Sequence, residues 1–119
     1  MNLVYKVCSK DEWDQAIINQ FYSGSDVDNK DGFIHLSTKK QLNETVTKHF
    51  RGKKNLLVIS FSTKKIQDNL KWEVSRNGDL FPHYYGNLET KFAEKTYNLH
   101  INVNGSRRKC HHISIVQFF

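Results

Sequence analysis

Apolar and polar residues alternate over residues 3–8, the two-residue period of a strand with one buried face. Ser9 and Glu12 then fit a capping box, and Trp13, Ala16, Ile17 and Phe21 recur at helical spacing behind it. The run Tyr22-Ser23-Gly24-Ser25 ends that helix, and an acidic loop with Asp26, Asp28 and Asp31 leads to an Asp31-Gly32 turn. A short apolar strand, Phe33 to Leu36 with His35 inside it, precedes a second predicted helix over residues 38–50. Thr38 and Gln41 would box its start, and Leu42, Val46 and Phe50 form its core stripe. Gly52 terminates it. Residues 55–62 are almost continuously apolar, the signature of a central strand.

Residues 70–75 alternate strictly. Leu70, Trp72 and Val74 are expected on the core face, and Lys71, Glu73 and Ser75 on the other. A hairpin-type turn at Arg76-Asn77-Gly78-Asp79 follows. Residues 80–86, Leu-Phe-Pro-His-Tyr-Tyr-Gly, fit neither a good strand nor a helix, and read either as the shaped wall of a pocket or as a packed aromatic corner. The chain closes with a predicted hairpin: residues 96–103, an Asn104-Gly105 turn, and residues 110–119. Tyr97, Leu99, Ile101 and Val103 share one face of its first strand.

Length and composition narrow the class. At 119 residues, with 38% hydrophobic and 25% charged residues, the chain predicts one folded domain rather than a disordered one. No apolar run approaches the roughly 20 residues of a membrane helix, and the first ten residues lack a signal peptide's apolar stretch, so a cytosolic protein is expected. Cys8 and Cys110, far apart and without a CxxC partner, read as free thiols. A net charge of +6 favours an anionic partner such as RNA or a nucleotide, although the lysine and arginine clusters are scattered.

Several residue types can do chemistry. A strand ending at His35-Leu36-Ser37-Thr38 and running into a helix would offer unpaired N–H groups to an anion such as a phosphate; the plainer alternative is a partly buried histidine beside a cap. A histidine such as His83 can act as acid, base or hydrogen-bond donor, and Glu73 faces away from the expected core, as a cleft residue or a solvated one. The aspartates do not form a calcium loop, which needs twelve residues and a terminal glutamate, so a turn-forming or solvated role is expected for them. Cys110, His111 and His112 resemble metal ligands in type, but adjacent strand residues point to opposite faces and no metal site is expected. No GxSxG, Walker loop, GxGxxG or HExxH occurs.

The blocks Asp28, Asp31, Gly32-Phe33-Ile34-His35-Leu36-Ser37, Gln41, His49-Phe50, Gly52, Trp72-Glu73 and Phe81-Pro82-His83-Tyr84-Tyr85-Gly86 closely resemble, over about residues 5–88, the bacterial family catalogued as domain of unknown function 952. That resemblance implies an α+β domain with an ADP-ribosyltransferase-like split sheet, two main helices in the N-terminal half, and a C-terminal hairpin at about 96–118 outside the match. More distantly, the histidine-leucine-serine block is similar to that of the RNA 2′-phosphotransferases, which use NAD. The arginine–histidine pattern with which those enzymes hold an RNA phosphate has no counterpart here. The resemblance implies NAD or ADP-ribose as ligand, with transfer or hydrolysis at the nicotinamide–ribose bond. His35, Ser37 and Thr38 would orient the nucleotide. Trp72, Arg76, Phe81 and Tyr85 would complete the pocket, Glu73 would stabilise oxocarbenium-like charge, and His83 would carry a proton. The alternative is a non-catalytic module that binds a nucleotide or RNA at the same place.

Overall fold

The computed structural model describes the backbone of residues 2–75, 78–103 and 111–117, and the side chains of residues 2–75 and 78–99. In chain order the elements are β1 (Leu3–Ser9), α1 (Lys10–Asn19), β2 (Phe21–Tyr22), α2 (Asp26–Asp31), β3 (Ile34–His35), α3 (Leu42–His49), β4 (Leu56–Ser62), β5 (Leu70–Val74), β6 (Leu80–Tyr84), β7 (Leu88–Glu89), β8 (Ala93–Val103) and β9 (His111–Gln117). The fold is α+β, with antiparallel pairing throughout. A four-stranded sheet has the order β1-β4-β8-β9, a three-stranded one the order β3-β6-β5, and β2 pairs with β7. A bridge between Tyr5 and Ser37 ties the free edge of β1 to the chain just past β3.

Strand β4 is buried at every residue, because each of its faces meets a different layer. Leu57, Ile59 and Phe61 join Val4 and Cys8 in a cluster with Trp13 and Ala16 of α1 and Ile34, Leu36 and Tyr84 of the smaller sheet. Leu56 and Val58 pack with Val7 and Leu99 against Leu42 and Val46 of α3. The central strand and the Leu42–Val46 stripe therefore follow the hydrophobic pattern, and the closing strands β8 and β9 pair antiparallel. Burial pushes the Cys8 thiol up to about 12, which leaves it an inert part of the first cluster. Cys110 lies outside the described residues, as do the side chains of His111 and His112. Among the described residues, no helix is long and apolar enough to cross a membrane.

Five local expectations are corrected. Helix α1 stops at Asn19 because Gln20 turns left-handed, φ 72°, and directs its N–H to the Ile17 carbonyl. Ile17, within the helix, is exposed while Trp13 and Ala16 are buried, and Phe21 lies beyond the helix and pairs with Glu89. The acidic loop is helix α2, so the described residues hold three α-helices rather than two. Ser25 caps it, and Asp28 returns a hydrogen bond to the Ser25 N–H. The Thr38–Gln41 box does form, with bonds of 3.0 and 3.3 Å, but it closes a turn, and α3 starts only at Leu42. Residues 80–84 make a regular strand, and it is the middle one of the smaller sheet. Pro82 has no N–H to give to the ladder, but its carbonyl accepts the Leu36 N–H at 3.0 Å. Finally, Trp72 and Val74 are 46% and 70% exposed, because β5 is an outer strand that overhangs the core.

The double-faced burial of β4 makes it the position of least tolerance. Ile59→Ala is expected to lower the unfolding free energy by about 2–5 kcal/mol in urea denaturation, and a loss below 1 kcal/mol would mean the two layers do not close on this strand.

Candidate functional site

The centre of the site is a carboxylate that the chain buries. Asp28 is only 2% exposed, and each of its oxygens takes two hydrogen bonds. Oδ2 accepts from Lys6 Nζ at 2.8 Å and from the Ser25 N–H at 2.9 Å. Oδ1 accepts from the His35 N–H at 3.1 Å and lies 2.6 Å from His35 Nδ1. Lys6, a partner in this bond, is itself buried, on the β1 face it shares with Val4 and Cys8. Burial alone would raise the Asp28 carboxyl, but the His35 hydrogen bond and the Lys6 charge outweigh it and hold the group well below the usual carboxylate range.

His35 is held from both sides. Its Nε2 lies 3.0 Å from Oδ2 of Asp31, four residues earlier at the end of α2, opposite the Asp28 contact. Each ring nitrogen of His35 thus faces a carboxylate oxygen, Nδ1 that of Asp28 and Nε2 that of Asp31. Across the β3–β6 pairing, His35 stands opposite His83, with ring centroids 5.6 Å apart. Phe33 lies over this pair. It stacks on His83 at 4.0 Å and 25°, and its centroid is 4.6 Å from His35 and 5.5 Å from Tyr85.

A second carboxylate completes the face. Glu73 Oε1 accepts from Tyr85 Oη at 2.7 Å and lies 2.8 Å from His83 Nδ1. The Tyr85 bond first, and the His83 bond second, hold Glu73 below the ordinary glutamate range, while the same bond raises the Tyr85 phenol. Glu73 therefore stays ionised and Tyr85 stays a donor. With its Nδ1–H directed at a carboxylate, a neutral His83 presents Nε2 as the acceptor. Lys71 Nζ lies 5.1 Å from the Tyr85 ring centre.

The expected site residues thus divide. His35, Glu73, His83 and Tyr85 come together on one face of the smaller sheet. Trp72 leaves the opposite face of β5 and, with Thr38, lines an open groove. Ser37 is buried, its hydroxyl 2.9 Å from that of Thr45, and Phe81 is buried as well. With α3 beginning at Leu42, neither His35 nor Thr38 stands at a helix N-terminus. Arg76 lies outside the described residues. Asp28, Lys6 and Phe33 were not expected in the site. Two signals point to the pair: Ser25 and Asp28 have capping-box spacing, and a lysine in the Val4–Cys8 row requires a buried anion.

The Asp28 pair sets two expectations. Asp28→Ala leaves Lys6 buried without a counter-charge and should cost about 3–5 kcal/mol, while a loss under 1 kcal/mol in chemical denaturation would show that the pair is not structural. Because the folded-state carboxyl is depressed, its stabilisation is complete above the unfolded-state value of about 3.9 and is lost as pH falls below it. The pH profile of the thermal midpoint should show that acid loss in the native chain and a shallower one in Asp28→Asn.

Comparison with known proteins agrees with this architecture. No curated protein gives a significant match. A crystal structure of protein CC0527 from Caulobacter crescentus superposes with a TM-score of 0.83 at 41% identity, covering 87% of this chain and 90% of that one. The solution NMR structure of CC0527 superposes with a TM-score of 0.77 at 41% identity, covering 86% of this chain and 88% of that one. The model of the family described as "Protein of unknown function (DUF952)" matches residues 7–96, which takes in every side chain of the histidine face. The chain belongs to the DUF952 family.

Proposed function

We propose that this chain binds NAD or an ADP-ribose-bearing nucleotide on the face formed by His35, Glu73, His83 and Tyr85, and that it promotes transfer or hydrolysis at the nicotinamide–ribose bond. The observation that carries the proposal is the Glu73 carboxylate. It is 39% exposed, fixed by Tyr85 and His83, and kept ionised by those bonds. A fixed anion of that kind suits the cationic ribose that forms as nicotinamide departs with the electron pair of the C–N bond. Water then adds to the ribose carbon and gives up a proton, for which His83 Nε2 is the available acceptor. Phe33 offers a ring against which nicotinamide or adenine can stack. The two-sheet arrangement supports an ADP-ribosyltransferase-like assignment of the fold, and the free, buried Cys8 fits action in the cytosol.

The second reading is a module that binds the nucleotide without turnover. It is favoured by the His83 side chain being only 7% exposed beneath Phe33, which leaves a proton carrier little room to meet a ligand. Chromatographic measurement of nicotinamide released from NAD separates the two. Turnover predicts slow release that falls by about 10²-fold or more in Glu73→Gln, with ADP-ribose affinity changed only a few-fold. ADP-ribose binding with no release would establish the module. Release that is indifferent to Glu73→Gln would remove Glu73 from the chemistry.

A further inference from the structure

The reverse face of the same outer strand carries a different kind of surface. Trp72 precedes Glu73 in β5, so their side chains leave on opposite sides of the smaller sheet. On the Trp72 side lies an open groove of about 570 Å³. Tyr5 and Trp72 supply its aromatic rings, Lys39 its charge, and Asn2, Thr38 and Thr63 its neutral polar groups; among the described residues no carboxylate lines it. A neighbouring groove of about 320 Å³, on the other side of Thr38, has Lys40 together with Glu44 and Asp79. Of two open grooves that share one threonine, only the first joins aromatic rings to an unopposed positive charge.

We propose that the Tyr5–Lys39–Trp72 groove is a binding subsite for single-stranded nucleic acid, in which an unpaired base stacks on Trp72 and the adjoining phosphate meets Lys39. An indole left 46% exposed on an outer strand is a costly apolar surface in water, and it has the geometry of a stacking platform. Every base has a face to stack, so such a platform recognises an unpaired strand rather than a sequence. The hydroxyls of Thr38 and Thr63 can donate to phosphate or sugar oxygens. The chain's charge of +6 draws a polyanion toward the groove from a distance, and the absence of a lining carboxylate removes the repulsion that Glu44 and Asp79 bring to its neighbour. This subsite is independent of the nucleotide face, and the loss of one leaves the other intact.

The test is a fluorescence-anisotropy titration of the full chain with labelled eight-residue oligouridylate and oligothymidylate at several salt concentrations. Both strands are expected to bind, because both offer bases and phosphates; tighter binding of the RNA would add recognition of its 2′-hydroxyl at the same groove. Trp72→Ala should weaken binding at least about fivefold, and Trp72→Phe, which keeps a ring, should retain most of it. Lys39→Ala should reduce the slope of log K against log salt by about 0.7, the contribution of one phosphate contact on a single strand. Glu44→Gln, in the neighbouring groove, should not weaken binding. Trp13 is buried in the core, so its emission reports whether each Trp72 variant is folded. Failure of both strands to bind, or binding unchanged in a folded Trp72→Ala, would overturn the proposal.

Discussion

A single buried ion pair, Lys6 with Asp28, decides how the two sheets meet. Lysine on the inner row of β1 is tolerable only if an anion reaches it, and that anion comes from a six-residue helix 22 positions later. The same carboxylate caps its own helix, takes the His35 backbone N–H and holds the His35 ring. One group thereby fixes where α2 sits, where β3 begins and how His35 is turned. Removing either partner alone would strand a charge in a low-dielectric interior, which is why breaking such a pair costs more than the pair contributes.

From this anchor the histidine face follows. With His35 held by Asp28 and Asp31, β3 pairs with β6 so that His35 stands against His83. Strand β5 then brings Glu73 to His83, and Tyr85, one residue beyond β6, closes on the same carboxylate. Lys6 and His35 thus meet on the Asp28 carboxylate, and His83 and Tyr85 on that of Glu73. Phe33 stacks on His83, which is nearly buried, and tilts against His35, which keeps about a third of its side chain exposed.

Much of this was legible in the residue pattern, and the failures share a cause. The run at β4, the Ser9–Glu12 cap, the Leu42–Val46 stripe and the C-terminal hairpin were readable because periodicity and capping act over a few residues. Strand β6 was hidden by Pro82, whose lost donor matters only if its neighbour needs it. Trp72 does share the core-facing side of β5 with Leu70, as the alternation indicates, but β5 runs past the core and leaves Trp72 and Val74 exposed, which alternation cannot show. Asp28 was read as a turn residue because nothing local names its partner at Lys6. Of the site, His35, Glu73 and His83 stood out by residue type and Tyr85 came with the family resemblance, while their separation from Trp72 and Thr38 exists only in three dimensions.

The most direct test of the account is an NMR titration of the isotopically labelled chain with ADP-ribose. The account predicts shifts confined to Phe33, His35, Glu73, His83 and Tyr85 and their immediate neighbours, with the Asp28–Lys6 region following through His35. Shifts centred on Trp72 and Tyr5, or none at ligand concentrations up to several millimolar, would contradict the assignment of the histidine face as the nucleotide site.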